Sequence, residues 1–308
     1  MEFGYNFLRI MRVFLVKCDK KIVFFLFLFF SSFCLSFSQG KKIFFLNEGT
    51  AFQNKFVQDN SLTTYVNISQ GYFVTNGRFS AKGLEHIINK YFPDKQTFGY
   101  AVLDWEGDGM QALVRQNSEF NFYIEQFNQA LAFAKKLRPN VKWGYYGLPY
   151  KFYESSLENY SNKIERLGPL IKNLDFIAPS LYILNNEPIS ISEKQKIDAT
   201  LSISLKFASK FRKPVYPFIW HRVHPSNKLI GISLIDNNVF DEYIRYFSKF
   251  KYKNISISGL FWWHSENYSF KKKATDNQIG KAYSSVANFE NFEKKIFYNY
   301  LKILRKDL

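Results

Sequence analysis

Seven short β-rich runs alternate with helical patterns along this chain, and that alternation restricts its fold more than any other feature. The runs fall at residues 42–46, 63–68, 98–106, 141–146, 176–184, 215–220 and 255–263. Helical spacing fills the intervals. Residues 119–137 place Tyr123, Ile124, Phe127, Leu131, Ala134 and Leu137 on one face, and Arg138-Pro139-Asn140 stops the pattern. Residues 192–211, 239–250 and 276–289 read similarly, with 84–91 as a shorter helix. Parallel strands need a crossover between them, so strand and helix in alternation specify a parallel α/β fold. The length favours a closed barrel over an open sheet. The expectation is therefore an α/β, distorted (β/α) TIM-like barrel in a single domain over residues 39–308. No internal repeat, long Gly/Ser linker or charge block divides that span.

Residues 1–38 read as an export signal. A basic stretch (Arg9, Arg12, Lys17, Lys20, Lys21) precedes residues 22–30, which contain no polar side chain, and Ser36-Phe37-Ser38 gives a small-residue cleavage pattern before Gln39. Met11 as the start would give a more usual basic region. The apolar run is shorter than the about 20 residues that span a bilayer. Phe33 is bulkier than a lipoprotein site tolerates before Cys34. Cys18 and Cys34 are the two cysteines and both lie in this segment, so the exported remainder must be held by its core rather than by disulfides. The destination expected is secreted, periplasmic or cell-surface. The segment carries five basic and two acidic residues, so the remainder keeps +13 of the +16 net charge. A surface of that sign draws polyanions from solution: acidic polysaccharide, nucleic acid or anionic lipid. A composition rich in Lys, Asn, Ile and Phe produces the same charge without any such partner.

The third run ends in Asp104-Trp105-Glu106. Alternate residues of a strand share a face, so Asp104 and Glu106 should project together with Cα atoms roughly 6.5–7 Å apart. Two carboxyls so placed cannot both ionise cheaply. One retains its proton near neutral pH, which is what a general acid requires. In α/β barrels chemistry sits at the C-terminal ends of the strands, where this pair falls. Other strand ends are polar or aromatic too: Tyr145-Tyr146-Gly147, Ser180-Leu181-Tyr182, Trp220-His221-Arg222 and Trp262-Trp263-His264-Ser265-Glu266. Aromatic rings suit the apolar faces of sugars, and tyrosine hydroxyls and carboxylates suit their hydroxyls.

These pieces resemble, in order, the hyaluronidase family of glycoside hydrolases, glycoside hydrolase family 56. The resemblance runs from Ile87-Ile88-Asn89 and Pro93-Asp94-Lys95 through Val102-Leu103-Asp104-Trp105-Glu106 to Lys135-Lys136-Leu137-Arg138-Pro139. It continues with Trp143-Gly144-Tyr145-Tyr146-Gly147, Pro149-Tyr150, Pro179-Ser180-Leu181-Tyr182, Pro214-Val215-Tyr216-Pro217-Phe218-Ile219-Trp220 and Gly259-Leu260-Phe261-Trp262-Trp263. It implies an endo-β-N-acetylhexosaminidase acting on hyaluronan or chondroitin. There a single acid protonates the leaving oxygen and the substrate's own acetamido carbonyl attacks the anomeric carbon, an exception to the two-carboxylate scheme. By motif, the resemblance implies Glu106 as acid and later base, Asp104 as the group orienting the acetamido, Tyr182 as its hydrogen-bond partner and Trp263 as the ring against its methyl. Tyr146, Tyr150, Tyr153, Trp220, Arg222 and Ser265 are the further candidate substrate contacts, with Arg222 and a neighbouring histidine offered to a uronic carboxylate.

Several residues depart from the family pattern. Gly107-Asp108-Gly109-Met110 follows the acidic pair where an aromatic, an arginine and a proline are usual, and is expected to form a flexible loop with a third acid. Phe152 replaces a tyrosine, and either Tyr150 or Tyr153 substitutes for it or the contact is lost. His264 and Glu266 replace small residues and are expected to narrow the cleft or change the sugar preference. His221-x-x-His224 lacks a carboxylate or cysteine at ligand spacing, so no metal or other cofactor is expected. No phosphate-cradling loop or serine nucleophile elbow occurs. The stretch from Lys294 to Lys306 reads as an amphipathic helix on the barrel, with membrane-surface contact as the lesser reading. The partner expected is thus an acidic polysaccharide, with no nucleic acid and no stable membrane insertion. Two alternatives stay open: hydrolysis of another N-acetylated glycan such as chitin or peptidoglycan, and a non-catalytic glycan-binding barrel.

Overall fold

The structure, a computed structural model, describes residues 40–151 and 164–308. Residues 1–38, for which an export signal is expected, lie outside the described residues, as do Phe152 and Tyr153 and the side chain of Tyr150. Seven parallel strands close into a barrel. They are β1 (Lys42–Leu46), β2 (Thr64–Ser69), β5 (Gly99–Asp104), β6 (Val141–Lys151), β7 (Ala178–Ser180), β8 (Phe218–Trp220) and β9 (Gly259–Trp263); a small hairpin, β3 (Val74–Thr75) and β4 (Arg78–Phe79), lies between β2 and β5. Closure is made by β9 against β1, in register from Lys42↔Gly259 to Phe45↔Trp262. β7 and β8 are shorter than their sequence runs. Pro179 and Pro217 supply no N–H to a ladder at those positions, which restricts regular pairing to a few residues.

Alternation of side chains decides what fills the barrel. Phe44 meets Tyr100, Tyr216 and Phe261 with ring centroids 4.7, 4.7 and 4.8 Å away, and Tyr65 meets Phe261 at 4.6 Å. These rings come from different strands or strand edges and stack across the lumen, where barrels usually carry branched aliphatics. Gly144 on β6 makes room for them. A Cβ there would lie 2.3 Å from the Phe176 ring. Burial moves the Tyr216 hydroxyl up to about 12, with Tyr100 adding to the effect.

The opposite strand faces, with Phe45, Ile68, Leu103, Trp143 and Leu260, are covered by helices. These are α1 (Ala51–Asp59), α2 (Ala81–Tyr91), α3 (Gly107–Arg115), α4 (Phe120–Leu137), α5 (Gly168–Asn173), α6 (Ile191–Phe211), α7 (Asn237–Lys249), α8 (Glu266–Lys272), α9 (Asn277–Tyr283) and α10 (Phe289–Asp307). Capping boxes start α1 at Thr50/Gln53 and α6 at Ser190/Glu193. The single helix expected at 276–289 is divided. Asp276 caps α9, and Asn288 starts α10 afresh by accepting from the Asn291 amide. α10 buries Ile296, Phe297, Tyr300, Leu301 and Leu304, so its apolar stripe is used against the rest of the fold. Among the described residues no helix is long and apolar enough to cross a membrane.

Three of the ordered sequence pieces turn out to be stapled together. Arg138, at the C-terminal end of α4, is buried, and its guanidinium donates to Asn89 Oδ1 at 2.8 Å and to the Leu137 carbonyl at 2.9 Å. Trp143 Nε1 in turn donates to the Arg138 carbonyl at 3.2 Å. The guanidinium ties α2 to the end of α4, and the Trp143 indole ties β6 to the same point.

Candidate active site

At the C-terminal mouth of the barrel a cleft of about 440 Å³ is lined by Asp104, Glu106, Tyr146, Tyr182, Trp220 and Trp263, together with Asn67, His224, Tyr268 and Ser269. The Asp104-Trp105-Glu106 segment is held by its middle residue. Trp105 is 1% exposed, stacks on Phe127 at 4.6 Å and 12°, and meets Phe73 edge-on at 5.7 Å. With that indole locked beneath α4, the residues on either side are left to the cleft, as the two-residue period of extended chain requires. β5 ends at Asp104, and Glu106 continues extended at φ −101° and ψ −154° before α3 begins.

Neighbouring elements fix both acids. Asn67 on β2 donates from Nδ2 to Asp104 Oδ2 at 3.2 Å, and the Glu106 amide donates to Gln70 Oε1 at 2.9 Å. Neither Asn67 nor Gln70 was singled out in the sequence. The available signal for Asn67 was a lone amide two residues after Tyr65, on the same face of a strand adjacent to the one carrying the acids.

The residues after the pair correct an expectation. Gly107-Asp108-Gly109-Met110 is the first turn of α3 rather than a flexible loop. Gly107 takes φ +61°, which turns the chain from strand to helix, and a side chain at Gly109 would meet the Trp105 indole at 2.8 Å. Low helix propensity concealed a helix set by packing of Met110, Ala112 and Leu113.

Aromatic side chains form the other walls. Tyr146 and Tyr182 lie 5.7 Å apart, Tyr182 and Trp220 6.0 Å, and the His224 ring lies 5.9 Å from Tyr182. Tyr146 OH shares a hydrogen bond with Ser180 Oγ at 3.1 Å. Trp220 Nε1 is buried without a hydrogen-bond partner among the described residues, which leaves an indole donor for a bound group.

Arg222 and Ser265 are not cleft residues, contrary to expectation. Arg222 is 1% exposed and forms a bidentate pair with Glu266, Nη2 to Oε2 at 2.6 Å and Nε to Oε1 at 2.8 Å, while Nη1 donates to the Ile232 carbonyl at 2.7 Å. Its donors are spent inside the protein. Ser265 is buried in front of α8, outside the cleft lining. His264 and Glu266 likewise do not narrow the cleft. His264 Nε2 accepts the Leu46 amide at 3.1 Å, and Glu266 also accepts from His221 Nε2 at 2.6 Å and from the Tyr283 hydroxyl. His221 Nδ1 accepts from Trp262 Nε1 at 3.2 Å, so the ring is neutral with its proton on Nε2, directed at Glu266. His221 and His224 therefore face different environments, the first this buried cluster and the second the cleft. Among the described residues no group of three or more His, Cys, Asp or Glu is placed to hold a metal ion.

The cluster behind the wall is strongly polarised. Burial would push the Glu266 carboxyl up, but the Arg222 charge and the hydrogen bonds from His221 and Arg222 outweigh it and hold it well below the usual carboxylate range. Burial lowers His221, and lowers His264 to about 3.

No protein-family model matches the chain. Hyaluronidase Tab y 2.0101 of Tabanus yao is 26% identical over 182 residues, 46% of this chain and 51% of that protein. The chain thus spans about half the length of the curated relative it matches. The crystal structure of bee venom hyaluronidase shares the fold with a TM-score of 0.58 at 13% identity, over 79% of this chain and 97% of that one. Bee venom hyaluronidase in complex with a hyaluronic acid tetramer gives 0.56 at 14% identity, over 80% and 97%. The chain is thus similar to a hyaluronidase in sequence over about half of its length, and it shares its barrel fold with bee venom hyaluronidase.

Proposed function

We propose that the chain is an exported endo-β-N-acetylhexosaminidase that hydrolyses a glycosaminoglycan, hyaluronan or chondroitin, with Glu106 as general acid and then base. The observation that carries this reading is the convergence of Asp104, Glu106, Tyr182 and Trp263 on one cleft at the strand ends. The N-acetylhexosamine sits with its acetamido group between Asp104 and Tyr182, its methyl against the Trp263 ring. The acetamido oxygen attacks the anomeric carbon as the glycosidic bond breaks, and Glu106 gives its proton to the departing oxygen. Asp104, braced by Asn67, stabilises the positive charge that develops on the oxazolinium nitrogen. The Glu106 carboxylate next takes a proton from water, whose oxygen adds to the anomeric carbon and reopens the ring with retained configuration.

Hydrolysis of a neutral N-acetylated glycan such as chitin is the second reading. One observation favours it: the described cleft lining contains no lysine or arginine to meet a uronic carboxylate. Size analysis of hyaluronan, chondroitin and chitin oligomers after incubation with the purified chain separates the two readings, and binding without shortening marks a non-catalytic barrel. Shortening of hyaluronan or chondroitin, with de-N-acetylated polymer left intact, is the expected result. Robust cleavage of the de-N-acetylated polymer contradicts the assisted mechanism.

A further inference from the structure

Cations missing from the inner lining are gathered on α8. Tyr268, on this helix, lines the cleft with 57% of its surface exposed, whereas Tyr146, Tyr182 and Trp220 in the same cleft are buried. Lys272, one turn further on and exposed, holds its ammonium 4.6 Å from the centre of the Tyr268 ring, and Lys271 and Lys273 flank it. The helix that presents this pair is fixed at its first residue. Glu266 is buried and saturated by Arg222, His221 and Tyr283, and Ser269 beside Tyr268 is itself buried against the cleft. A ring carried on so fixed an element loses little freedom when a ligand docks on it.

We propose that Tyr268 and Lys272 form an outer subsite for an acidic sugar of the polymer. The tyrosine ring takes the apolar face of the sugar, and the lysine ammonium, on its flexible stem, pairs with the uronic carboxylate. The proposal rests on reading the cleft as a glycan site and deepens it. The inner cleft handles the neutral N-acetylhexosamine and the rim handles the charge, so recognition of an acidic polymer does not require an arginine beside the acids.

Calorimetric titration of the Glu106→Gln chain, in which cleavage is switched off, tests the subsite with a hyaluronan hexasaccharide and its carboxyl-reduced counterpart. Tyr268→Ala should weaken both ligands by about tenfold, and Tyr268→Phe should keep most of the affinity, because the ring does the work. Lys272→Gln should weaken the hyaluronan hexasaccharide by about threefold and spare the carboxyl-reduced one, with the difference vanishing at high salt. Tyr268→Ala binding both ligands within twofold of the parent overturns the proposal. So does a Lys272→Gln effect equal for the two ligands, or a hexasaccharide that does not bind at all. Failure of the functional reading looks different: the unsubstituted chain shortens no polymer, while the titrations still depend on positions 268 and 272.

Discussion

Two strand ends of this barrel carry acids at or just past the sheet, and they have opposite fates. At the end of β5, Asp104 and Glu106 border a solvent-reached cleft, with Asn67 of β2 donating to the Asp104 carboxylate and the Glu106 backbone amide donating to Gln70. Beyond β9, Glu266 is 1% exposed and receives donors from Arg222, His221 and Tyr283. Under the proposed function the same side-chain chemistry serves as reactive equipment in one place, and the buried pairing makes it a bolt in the other. What separates them is burial: Glu266 is closed off from solvent among Arg222, His221 and Tyr283, whereas Asp104 and Glu106 line a cleft that a ligand can enter.

The largest effect that sharpens this contrast is catalytic. Glu106→Gln should lower the rate of polymer cleavage by about 10²–10⁴-fold, measured by product release, since the amide keeps the shape but has no proton to give. A variant with most of its activity would erase the distinction. Next in size is Glu266→Ala, expected to cost about 3–5 kcal/mol of stability in urea unfolding, because Arg222 would remain buried without its partner. A loss near zero would show that the cluster is not a bolt.

The cluster also sets a pH dependence. His264 titrates at about 3 when folded, burial being the main cause, and His221 is lowered by the same cause; both titrate near 6.5 in the unfolded chain. Between those values the unfolded state binds more protons, so stability is full above about pH 6.5 and falls on acidification. The slope is up to about 1.4 kcal/mol per pH unit for each histidine. Glu266, whose folded pKa is depressed, adds loss in the same direction below 4.5. Urea midpoints measured from pH 7 to pH 4 check this, and a flat profile contradicts it. The smallest effect belongs to the cleft: Glu106→Gln should shift stability by no more than about 0.5 kcal/mol in the same unfolding measurement.

How much of this was legible in the sequence depended on the range of the interactions. The seven strand runs and the long helix over 120–137 were visible because side-chain period records burial directly. The Asp104/Glu106 juxtaposition followed from the same period. Asn67 escaped notice since one amide in a strand says nothing until its neighbour strand is known. Arg222 was misread for the complementary reason: a cation at a strand end suggested a ligand contact, but its partner, Glu266, stands 44 positions away. α3 was missed because Gly107 and Gly109 argue against a helix locally, and only the Trp105 surface explains them.

The account stands most directly on Glu106 as proton donor to the leaving oxygen. Its sharpest test is the Glu106→Gln chain on two β-N-acetylhexosaminides, one with a sugar leaving group and one with an acidic aryl alcohol, following release of the first product. An aryl alcohol departs without a proton, so release should be lost for the sugar and largely retained for the aryl substrate. Equal loss on both, or loss on neither, contradicts the assignment.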